Sequence, residues 1–313
     1  MALSARMPEL SAFEVLVAIA KTGSLGAAGR ELRLTQQAVS ARLASMEAQT
    51  GVRLAVRSTR GSQLTAAGAA VAEWADKLIC VAEQVDTALS CLRTESRGRI
   101  KVVASLTIAE QLMPRWLVSL RAAASRQGTP APEVILTATN SDRAITAVRG
   151  GDADLGFIER PMVPAGLRSR IVAHDELVLI VPPGHKWAHR SRPISPSELA
   201  HTPLVSREPG SGTRDSLTTA LHRALGEAMT PAPPALELSS AAAVRAAVLA
   251  GAGPAVMSTL AVRDDLAIGR LRAVAVSDVN LRRDLRAIWV GARTPPPGAV
   301  RNLLAHIATA TGA

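Results

Sequence analysis

The chain has 313 residues, 48% of them hydrophobic, and a formal net charge of +10, so it has the length for roughly two domains with cores of their own and a basicity that points to a polyanionic partner. No apolar run reaches the ~18 residues needed to cross a bilayer, and no apolar stretch follows the first charges as in a signal peptide, so the cytoplasm is the expected compartment. Tyr is absent and Phe13 and Phe157 are the only phenylalanines, which disfavours readers that stack single-stranded bases on aromatic platforms and leaves duplex DNA read by a helix.

Residues 8–20 place Leu10, Phe13, Leu16, Val17 and Ala20 on one helical face, and Gly23 ends that helix. Ser24 caps a second, short helix running through Leu32, where Ala27 and Ala28 allow close packing. After a turn at Arg33-Leu34, Thr35 caps a third helix to about Thr50, with Val39, Leu43 and Met46 inward and Gly51 at its end. The stretch from Val52 to Thr65 carries Arg53, Arg57 and Arg60. Gly61-Ser62 reads as the tip of a two-stranded wing, pinned by Leu54, Val56 and Leu64.

From Ala66 the pattern becomes one long helix. Val71, Trp74, Leu78, Val81, Val85, Ala88 and Leu92 recur in alternating steps of three and four, a heptad seam that needs a partner and predicts a homodimer. Cys80 and Cys91 form no CxxC pair and are expected to be buried or half-buried thiols. Arg97-Gly98 marks a boundary. Beyond it strands are expected at 100–104, 133–138 and 154–158, alternating with helices at 108–124 and 142–148, which is the pattern of a parallel α/β sheet. Pro161 and Pro164 interrupt it. A second unit follows, with strands at 176–181, 203–206, 235–238 and 254–257 and helices at 213–228 and 240–250. Strands at 271–276 and 285–291 and a helix at 299–310 are expected to return to the first sheet. The expected domains are therefore residues 1–66 (winged helix-turn-helix), 67–96 (dimerisation helix) and 97–313, the last as two α/β lobes (97–160 with 262–313, and 161–261) whose crevice is the ordinary place for a ligand.

In a helix-turn-helix the second helix of the motif enters the major groove and its first residues reach base edges. Here these are Gln36, Gln37, Ser40, Ala41 and Arg42, and Gln pairs with adenine as Arg pairs with guanine. Ser24 and Thr35 sit at helix starts that present N–H groups to phosphates. Arg53, Arg57 and Arg60 would position the wing on the DNA backbone. The set Leu10, Phe13, Gly23-Ser24-Leu25, Ala27-Ala28, Leu32, Gln36, Ala38-Val39-Ser40, Leu43, Met46-Glu47, Gly51, Leu54, Arg57, Leu64-Thr65 and Gly68 resembles the N-terminal pattern of LysR-type transcriptional regulators. The remainder of the chain is similar too: a linker helix, then a two-lobed effector domain like that of periplasmic binding proteins. The resemblance implies a DNA-binding dimer, often assembled into a tetramer, that responds to a small co-inducer. Gln37, Ala41 and Ala55 stand where the family usually has Pro, often Arg and often Phe, so no operator sequence carries over.

For the effector, Ser206-Arg207-Glu208-Pro209-Gly210-Ser211-Gly212-Thr213-Arg214 is the best candidate loop. Glycines expose backbone N–H groups, Ser211 and Thr213 add hydroxyls, and the helix that follows adds its positive end, the way proteins hold anions. Similar Gly-Ser-Gly-Thr-Arg loops occur in LysR-type branches that sense sulfur and carbon-fixation metabolites, which implies an anionic effector. The site residues expected are Ser206, Gly210, Ser211, Gly212, Thr213 and Arg214. The end of the first effector strand (Ser105, Leu106 and Thr107) joins them, with Asn140 and Ser240 at other strand-to-helix switches. The loop lacks the GK[ST] ending of a P-loop and the G-x-S-x-G of a nucleophile elbow. His185 and His189 have helical metal spacing but follow Pro182-Pro183-Gly184 in a loop. No catalytic constellation and no cofactor or metal is expected.

Overall fold

The structure, a computed structural model, describes residues 4, 6–58, 61–95, 99–295 and 297–311, with the backbone alone for 57–58, 83–84, 86–95 and 311. The chain divides into two compact units, Met1–Asp86 and Thr87–Ala313.

The first unit holds α1 (Leu10–Thr22), α2 (Leu25–Glu31), α3 (Gln36–Thr50), a hairpin of β1 (Ala55–Ser58) and β2 (Gly61–Leu64), and α4 (Ala66–Glu95), which continues past its end. Gly23 and Gly51 close α1 and α3 in the left-handed conformation, at φ 66° and 73°, where a glycine has no side chain to strain. Ser24 and Thr35 accept from the backbone N–H groups of Ala27 and Ala38, so both are N-caps. The tip of the hairpin lies outside the described residues, and Gly61 opens the second strand rather than forming the tip. Phe13, Leu16, Ile19, Val39, Leu43, Met46 and Leu54 form the core, each worth ~1.5–3 kcal/mol of burial. Leu10 and Val56, expected inside, are exposed.

The heptad seam expected on α4 is divided. Val71 and Leu78 pack on the core of their own unit together with Ala72, Ala75 and Ile79. Trp74, 70% exposed, and Val81 and Val85 face away from it. The side chains of Ala88, Cys91 and Leu92 lie outside those described. Cys80 is exposed rather than buried.

The second unit begins with β3 (Arg99–Ser105), α5 (Leu106–Gln111), α6 (Met113–Arg126), β4 (Glu133–Thr139), α7 (Ser141–Arg149) and β5 (Leu155–Ile158). The single helix expected at 108–124 is two, because Pro114 has no N–H to continue the ladder and the helix breaks at Leu112. β6 (Arg168–Val181) follows, then α8 (Pro196–Ala200), β7 (Val205–Arg207), α9 (Gly212–Leu225), β8 (Leu236–Leu238), α10 (Ala241–Leu249), β9 (Ala255–Ser258), α11 (Thr259–Ala267) and β10 (Arg272–Val274). The chain ends with β11 (Arg282–Trp289) and α12 (Ala299–Thr311).

β3 runs parallel to β4 and β5, and β11 lies antiparallel between β5 and the first half of β6. These strands make lobe I, whose core includes Ile100, Trp116, Phe157, Leu285 and Leu303. The second half of β6, Leu177 to Val181, pairs instead with β9 and β10 and belongs to lobe II, cored by Leu179, Trp187, Leu221 and Val256. One strand thus serves both lobes, and the expected strand 176–181 is only its second half. β10 corrects the expectation that 271–276 returns to the first sheet. Arg272 to Val274 pair with the lobe II half of β6, and Val262 and Leu271 are buried with Val244 and Met257. Lobe II therefore continues past 261 to about residue 281, and only β11 and α12 return.

Candidate functional site

Two groups of expected residues are each brought together. On the first unit, α3 turns Val39, Leu43 and Met46 inward and exposes Gln36, Gln37, Ala41 and Arg42, with Ser40 half-buried. The Gln36 amide lies over Gly26 of α2, where an added Cβ would be 3.4 Å from its Oε1. Glu47, at the far end of α3, accepts from the N–H groups of Leu54 (2.7 Å) and Ala55 (3.1 Å), and Ser62 N–H donates to the Gly23 carbonyl (3.2 Å). The two Glu47 bonds tie the start of the hairpin to α3, and the Ser62 bond ties its second strand to the C-cap of α1. Arg53 is exposed beside them. The Arg57 side chain and Arg60 lie outside the described residues.

In the second unit, both lobes and both crossing strands supply side chains to a buried cluster around Arg283. Its guanidinium pairs with Asp175 (2.7 Å) and with Glu159, and donates to Thr213 Oγ1 (3.1 Å) and Thr107 Oγ1 (3.4 Å). Ser258 Oγ donates to the other Asp175 oxygen at 2.9 Å. Arg207, also buried, is held by both oxygens of Glu208 (2.8 and 2.9 Å). Thr107, Arg207, Thr213 and Ser258 line one small hollow of about 10 Å³ whose remaining wall is apolar. Ser105, at the end of β3 and 1% exposed, carries a hydroxyl without a hydrogen-bond partner among the described residues.

The loop before α9 is packed against lobe I. Gly212 leaves no room for a side chain, since a Cβ there would be 2.5 Å from Glu159 Cγ and 2.8 Å from Ser141 Oγ. Gly210, at φ 81°, lies against Asp142, whose N–H donates to its carbonyl. Ser211 is buried and makes no capping bond. Asn140 caps α7 and donates to Glu208 Oε1 (3.2 Å), and Arg160 joins Asp142 to Asp215. Burial pushes the Asp215 carboxyl up despite Arg160. Burial pushes Glu208 the same way, but the Arg207 hydrogen bond and charge outweigh it and hold this carboxyl below its ordinary value. A carboxylate so depressed keeps its charge as pH falls through the usual range, so the Arg207–Glu208 ion pair persists there and is lost only below it.

Four expected residues stand apart from the cluster. Arg214 turns outward to the Arg207 carbonyl and Glu237, and with Ser206 it lines a separate hollow against α8. Ser240 is occupied as the N-cap of α10. Leu106 begins α5 half-buried. Arg283, Asp175, Glu159 and Ser258 were not foreseen, although strand alternation carries a signal for two of them. Asp175 shares its face with buried Leu177, Leu179 and Val181, and Arg283 shares its face with Leu285 and Ala287. A charge on the inward face of a strand marks a buried pair, and the two are direct cross-strand partners.

Among the described residues no single helix is long and apolar enough to cross a membrane. Residues 10–69 match the model of the bacterial regulatory helix-turn-helix protein of the lysR family, and residues 93–312 match that of the LysR substrate binding domain. The chain is 70% identical over 307 residues to an uncharacterized HTH-type transcriptional regulator of Mycobacterium tuberculosis H37Rv, covering 98% of each. Its fold is similar to the regulatory domain of Synechocystis CcmR in complex with 2-PG (TM-score 0.58, 22% identity, 68% of this chain and 97% of that one). It is also similar to full-length CbnR complexed with its target DNA (TM-score 0.50, 20% identity, 97% of this chain and 99% of that one). The helix-turn-helix and the two-lobed domain are thus those of regulators rather than enzymes, and the chain belongs to the LysR family of bacterial transcription regulators.

Proposed function

We propose that this regulator works in the cytoplasm, binds promoter DNA through α3 and the wing, and is modulated by a small anionic effector held between the two lobes of residues 97–313. The observation that carries the effector reading is the convergence of Thr107, Arg207, Thr213 and Ser258 on one small hollow, with Ser105, close to Thr107 in the chain, holding a buried hydroxyl that has no partner among the described residues. A buried polar group without a partner costs about 1–3 kcal/mol, which a ligand oxygen would recover. Two buried guanidiniums supply charged donors for an anion. Arg207 already holds Glu208, and Arg283 holds Glu159 and Asp175, so an anion enters only by displacing Glu208 or Glu159, and the lobes would shift as it does. The relatives support the reading: a CcmR regulatory domain is described with 2-PG, and CbnR with its target DNA.

Residues 1–66 then read DNA and α4 pairs two copies. Trp74, Val81 and Val85 form its exposed apolar stripe, spaced by seven and four as a coiled-coil seam requires. A tetramer would set two such pairs on one promoter, and an effector that changes lobe geometry would change their spacing.

Gel shifts on DNA upstream of the chain's own or neighbouring genes test the first half. Wild type should bind, with affinity falling steeply as salt rises. Gln36→Ala with Arg57→Ala should lose most of it, at about 1–3 kcal/mol for the base contact. Undiminished binding by that double variant would sink the assignment. For the cleft, Thr213→Ala should abolish the response to a small anion found by a thermal-shift screen and leave DNA affinity nearly intact. Calorimetry showing unchanged ligand affinity in Thr213→Ala would discard the cleft.

A further inference from the structure

We propose that lobe I carries a second binding site, outside the cleft between the lobes, for a small carboxylate or phosphate anion. It is built from Arg170, Arg293 and Arg301 beside Trp289.

The charge imbalance is already in the sequence. Between Glu159 and Asp175 there is no acidic residue, yet Arg160, Arg168 and Arg170 lie there. From Arg286 to the end of the chain there is again none, and that stretch holds Arg286, Arg293 and Arg301. The fold brings the two acid-free segments side by side. β6 and β11 are antiparallel, with Arg168 opposite Trp289 and Arg170 opposite Ala287. A cavity of about 320 Å³ opens where the start of β6 meets the end of β11 and α12. Its walls include Arg170, Arg293, Arg301, Thr294, Trp289 and Leu304, and no carboxylate is among its described lining residues.

Arginines on an outer strand commonly do no more than guard its edge, and Arg170 alone would be read that way. Two features argue for more. Arg301 comes from α12, is half-buried, and is fixed by donating Nε–H to the Pro295 carbonyl at 2.7 Å. Its terminal amino groups stay available to a ligand. The loop it grips is also fixed on its other side, where Arg168 Nε donates to the Gly291 carbonyl (3.2 Å). The Trp289 indole N–H is committed to the Ala292 carbonyl (2.9 Å), so its ring serves as an apolar wall with Leu304. The charges are also uncommitted. Among the described residues, none of Arg170, Arg293 and Arg301 forms an ion pair, whereas Arg207 and Arg283 in the cleft each hold a carboxylate. Planar guanidiniums converging on a cavity with one apolar side fit a small oxyanion, with or without a flat apolar body.

Calorimetric titration of the full chain at low salt with inorganic phosphate, and separately with benzoate, tests this. Saturable binding of either probe is expected, and the probe that binds more tightly tells whether the apolar wall contributes. Arg170→Ala and Arg301→Ala should each weaken that binding by roughly tenfold or more, while Thr213→Ala leaves it unchanged. Arg293→Ala, an exposed change with no bond of its own to lose, should weaken it too and covers the case in which Arg301→Ala fails to fold. No saturable binding of either probe overturns the proposal. So does binding that survives the arginine changes, and so does binding that is lost in Thr213→Ala.

Discussion

Arg283→Met should lower the melting temperature of the second unit by about 10 °C. The guanidinium is the counter-charge to two buried carboxylates, Glu159 and Asp175, and it also satisfies Thr107 and Thr213. Removing one partner of a buried ion pair costs ~3–5 kcal/mol because the remaining charge stays in low dielectric. A domain of this size loses about 2–4 °C per kcal/mol. Differential scanning calorimetry of the full chain reads the shift directly. The sharper measurement adds Glu159→Gln and Asp175→Asn to Arg283→Met, which removes both stranded charges and should recover most of the loss. A single variant that melts within about 2 °C of wild type would mean that the cluster does not hold the lobes.

Gly68→Ala should unfold the junction between wing and long helix and, with it, DNA binding. A Cβ at Gly68 would overlap the Leu54 carbonyl. That carbonyl already accepts from Thr65 N–H, and Thr65 Oγ1 in turn accepts from Gly68 N–H at 2.9 Å. Backbone stands on both sides of the overlap, so relief requires moving the start of α4 away from the buried Leu54. Overpacking of this kind costs ~1–3 kcal/mol and occasionally more. Gly51→Ala is the informative comparison. It has the same change in mass and a left-handed φ of 73°, but open space where the methyl would go, so its cost is limited to ~1–2 kcal/mol of backbone strain. Gel-shift affinity, with urea unfolding of the same samples, should rank wild type above Gly51→Ala and Gly51→Ala above Gly68→Ala. Equal behaviour of the two variants would refute the steric account.

The helix-turn-helix was legible because its determinants are local. Caps at Ser24 and Thr35, glycine stops at Gly23 and Gly51, and inward Val39, Leu43 and Met46 all lie within a few residues of what they control. The lobes were legible as alternation but not as membership. Nothing near Arg272 tells which half of β6 it will meet, because the two halves are one continuous strand and the choice is made by long-range pairing. The same applies to the cleft. Thr213 does reach lobe I, but Arg214, one helical step further on, turns away to Glu237, and Arg283 comes from a strand 70 residues later in the chain than Thr213. The α4 seam was read too generously, since Val71 and Leu78 satisfy the heptad and the domain core equally well.

β11 sits between β5 and β6 in the sheet of lobe I although it is the last strand among the described residues. During synthesis, lobe II has all its strands, β6 to β10, before Arg282 leaves the ribosome, while lobe I still has a gap between β5 and β6. Until those residues arrive, β5 and the first half of β6 each present an unpaired edge. A nascent chain stalled near residue 280, or a product truncated there, would therefore be open to pairing with a neighbouring copy along that gap. Lobe I thus closes its sheet only after lobe II has all its strands, because the residues from Arg282 on must arrive to fill the gap beside β6.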